Sequence, residues 1–106
     1  MISIIMPTMW KPDHYKVMLP LFNQYPLVGE ILVIDNNTAN TNKDILNLEK
    51  VVYLPQEQNI YVNPAWNLGA QKAKYDKLCF YSDDCLINLS AIDAVYELLT
   101  PQHGLS

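Results

Sequence analysis

Two adjacent carboxylates, Asp83 and Asp84, follow directly on the run Leu78 to Ser82, before apolar character resumes at Cys85 to Ile87. Like charges repel, so a pair at the end of a buried segment asks for a counter-charge. Two earlier apolar runs also end on polar groups: Ile2 to Met6 gives way to Pro7 and Thr8, and Ile31 to Ile34 to Asp35 and Asn36. Carboxylates are hard oxygen ligands suited to Mg2+ or Mn2+, ions that are typically held by one or two carboxylates with waters and phosphate oxygens completing the shell. A nucleotide diphosphate fits such a set. Without a cation the paired acids repel its phosphates, and with one they become the bridge to them. Asp35 is placed to accept hydrogen bonds from a base or ribose, as acids after second strands do in dinucleotide sites.

The elements that would carry these residues are legible from pattern. "ISIIM", residues 2 to 6, is a β-branched strand that should stop at Pro7, which has no N–H for a ladder. Apolar residues at 17, 18, 21, 22 and 25 form a helical stripe over Asp13 to Tyr25, which Pro20 should kink or split. "EILVID" (30 to 35) is the second strand, followed by an Asn- and Thr-rich loop and a short helix near Asp44 to Leu48. "VVYL" (51 to 54) is the third strand. After a polar loop over 55 to 63, Pro64 suits a first helical position. The fourth strand is Leu78 to Ser82, and Ser90 with Asp93 opens a capping-box-like helix reaching about Leu99.

Continuous apolar strands alternating with helical crossovers predict an α/β fold with a mostly parallel sheet covered on both faces, a Rossmann-like three-layer α/β/α arrangement. Right-handed crossovers give strand order 3-2-1-4. All strands then end on one edge, and the order reverses between the first and fourth, so Pro7, Thr8, Asp35, Asn36, Asp83 and Asp84 converge at one crevice.

Composition narrows the partners. At 106 residues the chain is one domain, and seven Lys and Arg against eleven acids, net charge -4, give no basic footprint for nucleic acid. The apolar runs are far too short for a membrane span, so a cytoplasmic protein is expected. Cys79 and Cys85 read as small buried hydrophobes rather than a disulfide or a metal site. His14 and His103 have no partner pattern that would make either catalytic.

With these residues in place, the chain resembles the donor-binding half of family 2 glycosyltransferases of the GT-A fold, over nearly its whole length. The resemblance rests on "ISIIMPT", "ILVIDNN", Asn59, "NLG" at 67 to 69, and "YSDDCLI" for a DXD-type metal motif. It implies that Pro7, Thr8 and Asp35 line the base and ribose pocket and that Asn36, Asn59 and Asn67 belong to the donor site. It further implies that Asp84 is the principal ligand of Mn2+ or Mg2+, with Asp83 contacting sugar or ribose beside it. The helix carrying Asn67 and Gly69 would pack under the donor.

The sequence departs from the family at four places. Met9 and Trp10 stand where Tyr-Asn is common, and Asn59-Ile60-Tyr61 where Asn-x-Gly is common. Trp66 replaces an arginine, and Ser82 makes the acidic motif SDD.

The implied function is metal-dependent, hexosyl-type transfer of a sugar from a nucleotide diphosphate sugar, UDP-sugar favoured, to an acceptor hydroxyl. In an inverting member the base comes from a second, acceptor-binding half, so residues 1–106 are expected to be a single donor-binding domain with that half absent. The alternative is a non-catalytic nucleotide-sugar-binding module or a truncated fragment. The sheet edge beside the fourth strand leaves room for a homodimer. A sugar nucleotidyltransferase would need a glycine-rich phosphate loop where "PTMWKPD" has no glycine. A phosphoacceptor receiver would need acids after the first and third strands, and here they follow the second and fourth.

Overall fold

The computed structural model describes residues 1–11 and 13–82. The expected helix from Ser90, Cys85, and the acidic pair Asp83 and Asp84 lie outside the described residues. Within them the chain forms β1 (Ile2–Thr8), α1 (Tyr15–Gln24), β2 (Val28–Asp35), β3 (Val51–Pro55), α2 (Val62–Lys72) and β4 (Lys77–Phe80), with 3-10 turns at Thr38–Asn40 and Ile45–Asn47. The strands form one parallel sheet in the order β3-β2-β1-β4, as the sequence predicts.

Side chains alternate across the sheet and build a core on each face. Ile2, Ile4 and Met6 of β1, with Ile31 and Val33 of β2, pack against Tyr15, Met18, Leu19 and Phe22 of α1. On the other face Ile5, Leu32, Ile34 and Leu78 meet Ala65 of α2. One helix on each face makes the three layers. Among the described residues no helix is long and apolar enough to cross a membrane.

One proline departs from expectation, and a second rules out one of its two expected outcomes. β1 does not stop at Pro7 but continues to Thr8, with Pro7 opposite Ile34. In a parallel strand successive residues direct their backbone groups to opposite neighbours: the Ile5 carbonyl accepts from Tyr81 N on the β4 side, and the Thr8 carbonyl from Asn36 N on the β2 side. Pro7 shares the parity of Ile5, so its missing N–H costs nothing toward β2. The ladder to β4, last paired at Ile5 and Phe80, ends there instead, which is why β4 is shorter than the expected run to Ser82. Pro20 sits inside a single helix rather than splitting it. An internal proline costs about 3 kcal/mol, whereas burying four large side chains of α1 contributes about 1.5–3 kcal/mol each, so packing wins.

Glycines set two close approaches. A β-carbon on Gly69 would lie 2.4 Å from Cγ2 of Ile5, so only glycine lets α2 sit this near β1. Gly29 falls where the β1–β2 register shifts between Ile2 and Ser3, and the ring of Tyr75 occupies the space its β-carbon would need. Beside it, the buried carboxylate of Glu30 accepts from the Ser3 hydroxyl at 2.6 Å and from the backbone N–H of Lys74. That pairing satisfies a buried charge and ties the α2–β4 connection to the sheet.

Candidate functional site

A cleft of about 620 Å³ opens at the carboxyl edge of the sheet. Its walls are Pro7, Thr8, Met9 and Lys11 from the end of β1, Asn36 after β2, Asn59 and Tyr61 with the first turn of α2, Trp66, and Ser82 after β4. This is the reversal of strand order, where the β1–β4 ladder ends at Ile5 and Phe80. Pro7, Thr8, Asn36 and Asn59, expected from sequence, are therefore brought together with Ser82, whose successors in sequence are Asp83 and Asp84.

Asp35 and Asn67 take other places. Asp35 is fully buried beneath the cleft. Its Oδ1 accepts from Trp10 Nε1 at 2.8 Å and Asn37 N at 2.8 Å, and its Oδ2 from Thr41 Oγ1 at 2.5 Å and Tyr53 Oη at 2.7 Å. A carboxylate offers about four acceptor sites, so these donors fill it. Burial first, and the Asp35 carboxylate after it, raise the Tyr53 phenol above its ordinary value against the opposing Thr41 hydroxyl, which keeps Tyr53 a donor. Asn67 is exposed on α2 and lines a separate groove with Trp66, Ala70 and Phe80.

The two cleft asparagines shape the wall opposite β1. Asn36 Oδ1 accepts from Ile60 N at 3.2 Å, and Asn59 Oδ1 from Tyr61 N at 2.7 Å. The Tyr61 carbonyl in turn accepts from Ala65 N at 3.3 Å, starting α2. Held this way, Tyr61 has φ 66° and ψ -175°, a region occupied essentially by glycine alone and costing a side-chain-bearing residue about 1–3 kcal/mol. Trp10 is the other non-glycine at positive φ among the described residues, also 66°, and it is fixed by Asp35 and by its own N–H to Thr8 Oγ1 at 2.9 Å. Both strained aromatics flank the cleft.

Tyr61, Met9 and Trp66 were not singled out as site residues by sequence reasoning. The signal for Tyr61 was its place in Asn59-Ile60-Tyr61: the family pattern favours glycine there, and the backbone keeps glycine's conformation although the side chain does not. Trp66 walls both the cleft and the second groove and packs against Phe80 with ring centroids 5.5 Å apart.

The chemistry available in the described part of the cleft is recognition. Lys11 is the one charged residue lining it among the described residues, and the N–H groups of Val62 and Asn63 belong to the first turn of α2, whose dipole favours an anion. Pro7, Met9, Val62, Pro64 and Trp66 supply apolar wall. Among the described residues no three His, Cys, Asp or Glu side chains gather as a metal-ligating group.

Known proteins bear on this geometry. The chain superposes on the S. aureus TarS 1-349 crystal structure with a TM-score of 0.73 at 17% identity, covering 91% of this chain and 31% of that one. A second S. aureus TarS crystal structure gives 0.70 at 21% identity, covering 91% and 19% respectively. The chain thus spans a third or less of these two solved structures, and at this identity the likeness is one of fold. No curated protein sequence matches the chain. A family model described as glycosyl transferase family 2 matches residues 3–103, nearly the whole length. With the sheet order of half a GT-A fold and the polar edge gathered at its switch point, the chain belongs to glycosyl transferase family 2.

Proposed function

We propose that the cleft binds a nucleotide diphosphate sugar, with a UDP-sugar favoured, as the donor site of a glycosyltransferase that moves a hexosyl-type sugar to an acceptor hydroxyl. The observation that carries this reading is the convergence of Pro7, Thr8, Asn36, Asn59 and Ser82, from separate segments, on one cleft at the β1/β4 switch point. The apolar wall suits a nucleoside. Lys11 suits the diphosphate, and the amide NH2 groups of Asn36 and Asn59 are donors for ligand oxygens.

Asp84, with Asp83 contacting sugar or ribose, would hold Mn2+ or Mg2+, whose double charge offsets that of the leaving diphosphate. The donor set supports this assignment, since both are hard oxygen ligands directly following a residue of the cleft wall. Asp35 acts from below. It holds Trp10 and the segment after β2 in position, and through them the floor of the base pocket. Among the described residues no carboxylate lines the cleft, so removal of the acceptor proton falls to a group outside them.

Isothermal calorimetry with UDP tests the reading. Binding should be tighter with Mn2+ than without it, and equal affinity in the two titrations would count against the metal-dependent donor site.

A further inference from the structure

We propose that Tyr61 is the aromatic platform on which the nucleobase of the donor rests; the inference depends on the cleft being the nucleotide site. The backbone at this position adopts a conformation that only glycine occupies without strain, yet a tyrosine stands there with 70% of its surface exposed. An exposed aromatic gains little from burial in the free protein, so folding alone gives no return for the strain. Return comes only if the ring acquires a partner.

Three contacts over-determine the conformation. The Tyr61 N–H is held by Asn59, the preceding N–H by Asn36, and the Tyr61 carbonyl by the first turn of α2. Asn36 and Asn59 themselves line the cleft, so the same side chains that border the ligand space fix the ring at its rim.

The neighbouring wall says what kind of partner. Val62 is 51% exposed beside the ring, and Pro64, Pro7 and Met9 continue an apolar lining. Such a surface suits the flat, weakly polar face of a base and not a doubly charged diphosphate. Base–aromatic stacking tolerates different bases, because each has a π face.

The experiment compares wild type, Tyr61→Gly and Tyr61→Phe for thermal midpoint and for binding of UDP and of inorganic pyrophosphate, all with Mn2+. Tyr61→Gly should fold with a midpoint at or above wild type, bind UDP roughly 5- to 150-fold more weakly and bind pyrophosphate unchanged. Tyr61→Phe, which keeps the ring, should bind UDP within about twofold of wild type. Unchanged UDP affinity in Tyr61→Gly would overturn the platform, as would an equal loss for pyrophosphate, which would mark a backbone effect. Wild type that binds no UDP would instead overturn the nucleotide reading of the cleft, and the platform with it.

Discussion

The indole N–H of Trp10 donates to Oδ1 of Asp35 across 2.8 Å, joining the segment after β1 to the end of β2 beneath the cleft floor. Because Trp10 is itself at φ 66°, this bond holds a strained backbone in place as well as satisfying a buried carboxylate. Met9 and Lys11, the residues on either side of Trp10, are both cleft wall. A fully buried acid therefore sets the position of side chains it never touches.

Replacing that acid separates charge from geometry. In Asp35→Asn the amide oxygen can keep facing the two N–H donors, Trp10 and Asn37, which cannot reverse roles. The amide NH2 then faces Thr41 and Tyr53, whose hydroxyls can rotate to accept. The expected loss is about 1–3 kcal/mol, from weakened charge-assisted bonds. Asp35→Ala takes the acceptor from the Trp10 and Asn37 N–H groups, while the Thr41 and Tyr53 hydroxyls keep each other at 3.3 Å and Thr41 keeps the Thr38 carbonyl at 3.2 Å, and it should cost more, about 3–5 kcal/mol. Urea denaturation midpoints check the order, and an alanine variant no less stable than the asparagine one would refute it.

Gly69→Ala tests the packing of α2. Alanine in a helix interior is favoured over glycine by about 1 kcal/mol. Here the new methyl meets Cγ2 of Ile5 at 2.4 Å and Cδ1 of Ile34 at 3.2 Å, in a core where overpacking costs about 1–3 kcal/mol. Ile5 is β-branched and fully buried, so its Cγ2 cannot swing away. The variant should be net destabilised, with a thermal midpoint lower by several degrees. Gly29→Ala should cost less, because the atoms it meets are the outer ring of the half-buried Tyr75. Equal midpoints for the two variants would remove the distinction.

Sequence reasoning reached the sheet because strands made of Ile, Val and Leu with helical spacers between them leave few topologies, and the order β3-β2-β1-β4 follows from handedness. It missed the continuation of β1 through Pro7, since whether a missing N–H matters depends on which neighbour it would have faced. The convergence of Pro7, Thr8 and Asn36 was legible for the same topological reason, and Asn59 joined them through the family resemblance. The filling of Asp35 was not: its donors come from Trp10, Asn37, Thr41 and Tyr53, and no local pattern reports contacts between such distant positions. The expected placement of Asn67 with the donor residues needed the azimuth of α2, which Gly69 and Ala65 fix by facing the sheet.

Cys79 carries a pH prediction. It is a thiol on β4 outside any disulfide, 1% exposed, and burial pushes its pKa up to about 12. The folded state thus keeps a proton that the unfolded chain releases above about pH 8.5. With more protons bound in the native state, stability must fall as pH rises through that window, by up to about 1.4 kcal/mol per pH unit for one group. The Tyr53 phenol, also raised, adds in the same direction above about pH 10. Denaturation midpoints measured from pH 8 to 11 should decline, and Cys79→Ala should flatten the lower part of that decline. In the native state Cys79 should also resist iodoacetamide at pH 8, since the thiolate is the nucleophile. Rapid alkylation of Cys79 in the folded protein would contradict both expectations.

Asp84→Asn tests the proposed metal link, and its two titrations should move in opposite directions. Without a cation, Asp83 and Asp84 repel the diphosphate, so removing one negative charge should leave metal-free UDP binding equal or slightly tighter. With Mn2+, the variant lacks its principal hard ligand and should lose at least the roughly 10- to 100-fold in metal affinity that even an outer partner of a metal site contributes. The curves with and without Mn2+ should therefore approach each other in Asp84→Asn. Asp83→Asn, assigned mainly to sugar or ribose, should keep most of the metal enhancement while weakening UDP-sugar binding. A full wild-type Mn2+ effect in Asp84→Asn would remove that carboxylate from the site, because a cation that loses its principal hard ligand cannot bind with undiminished affinity.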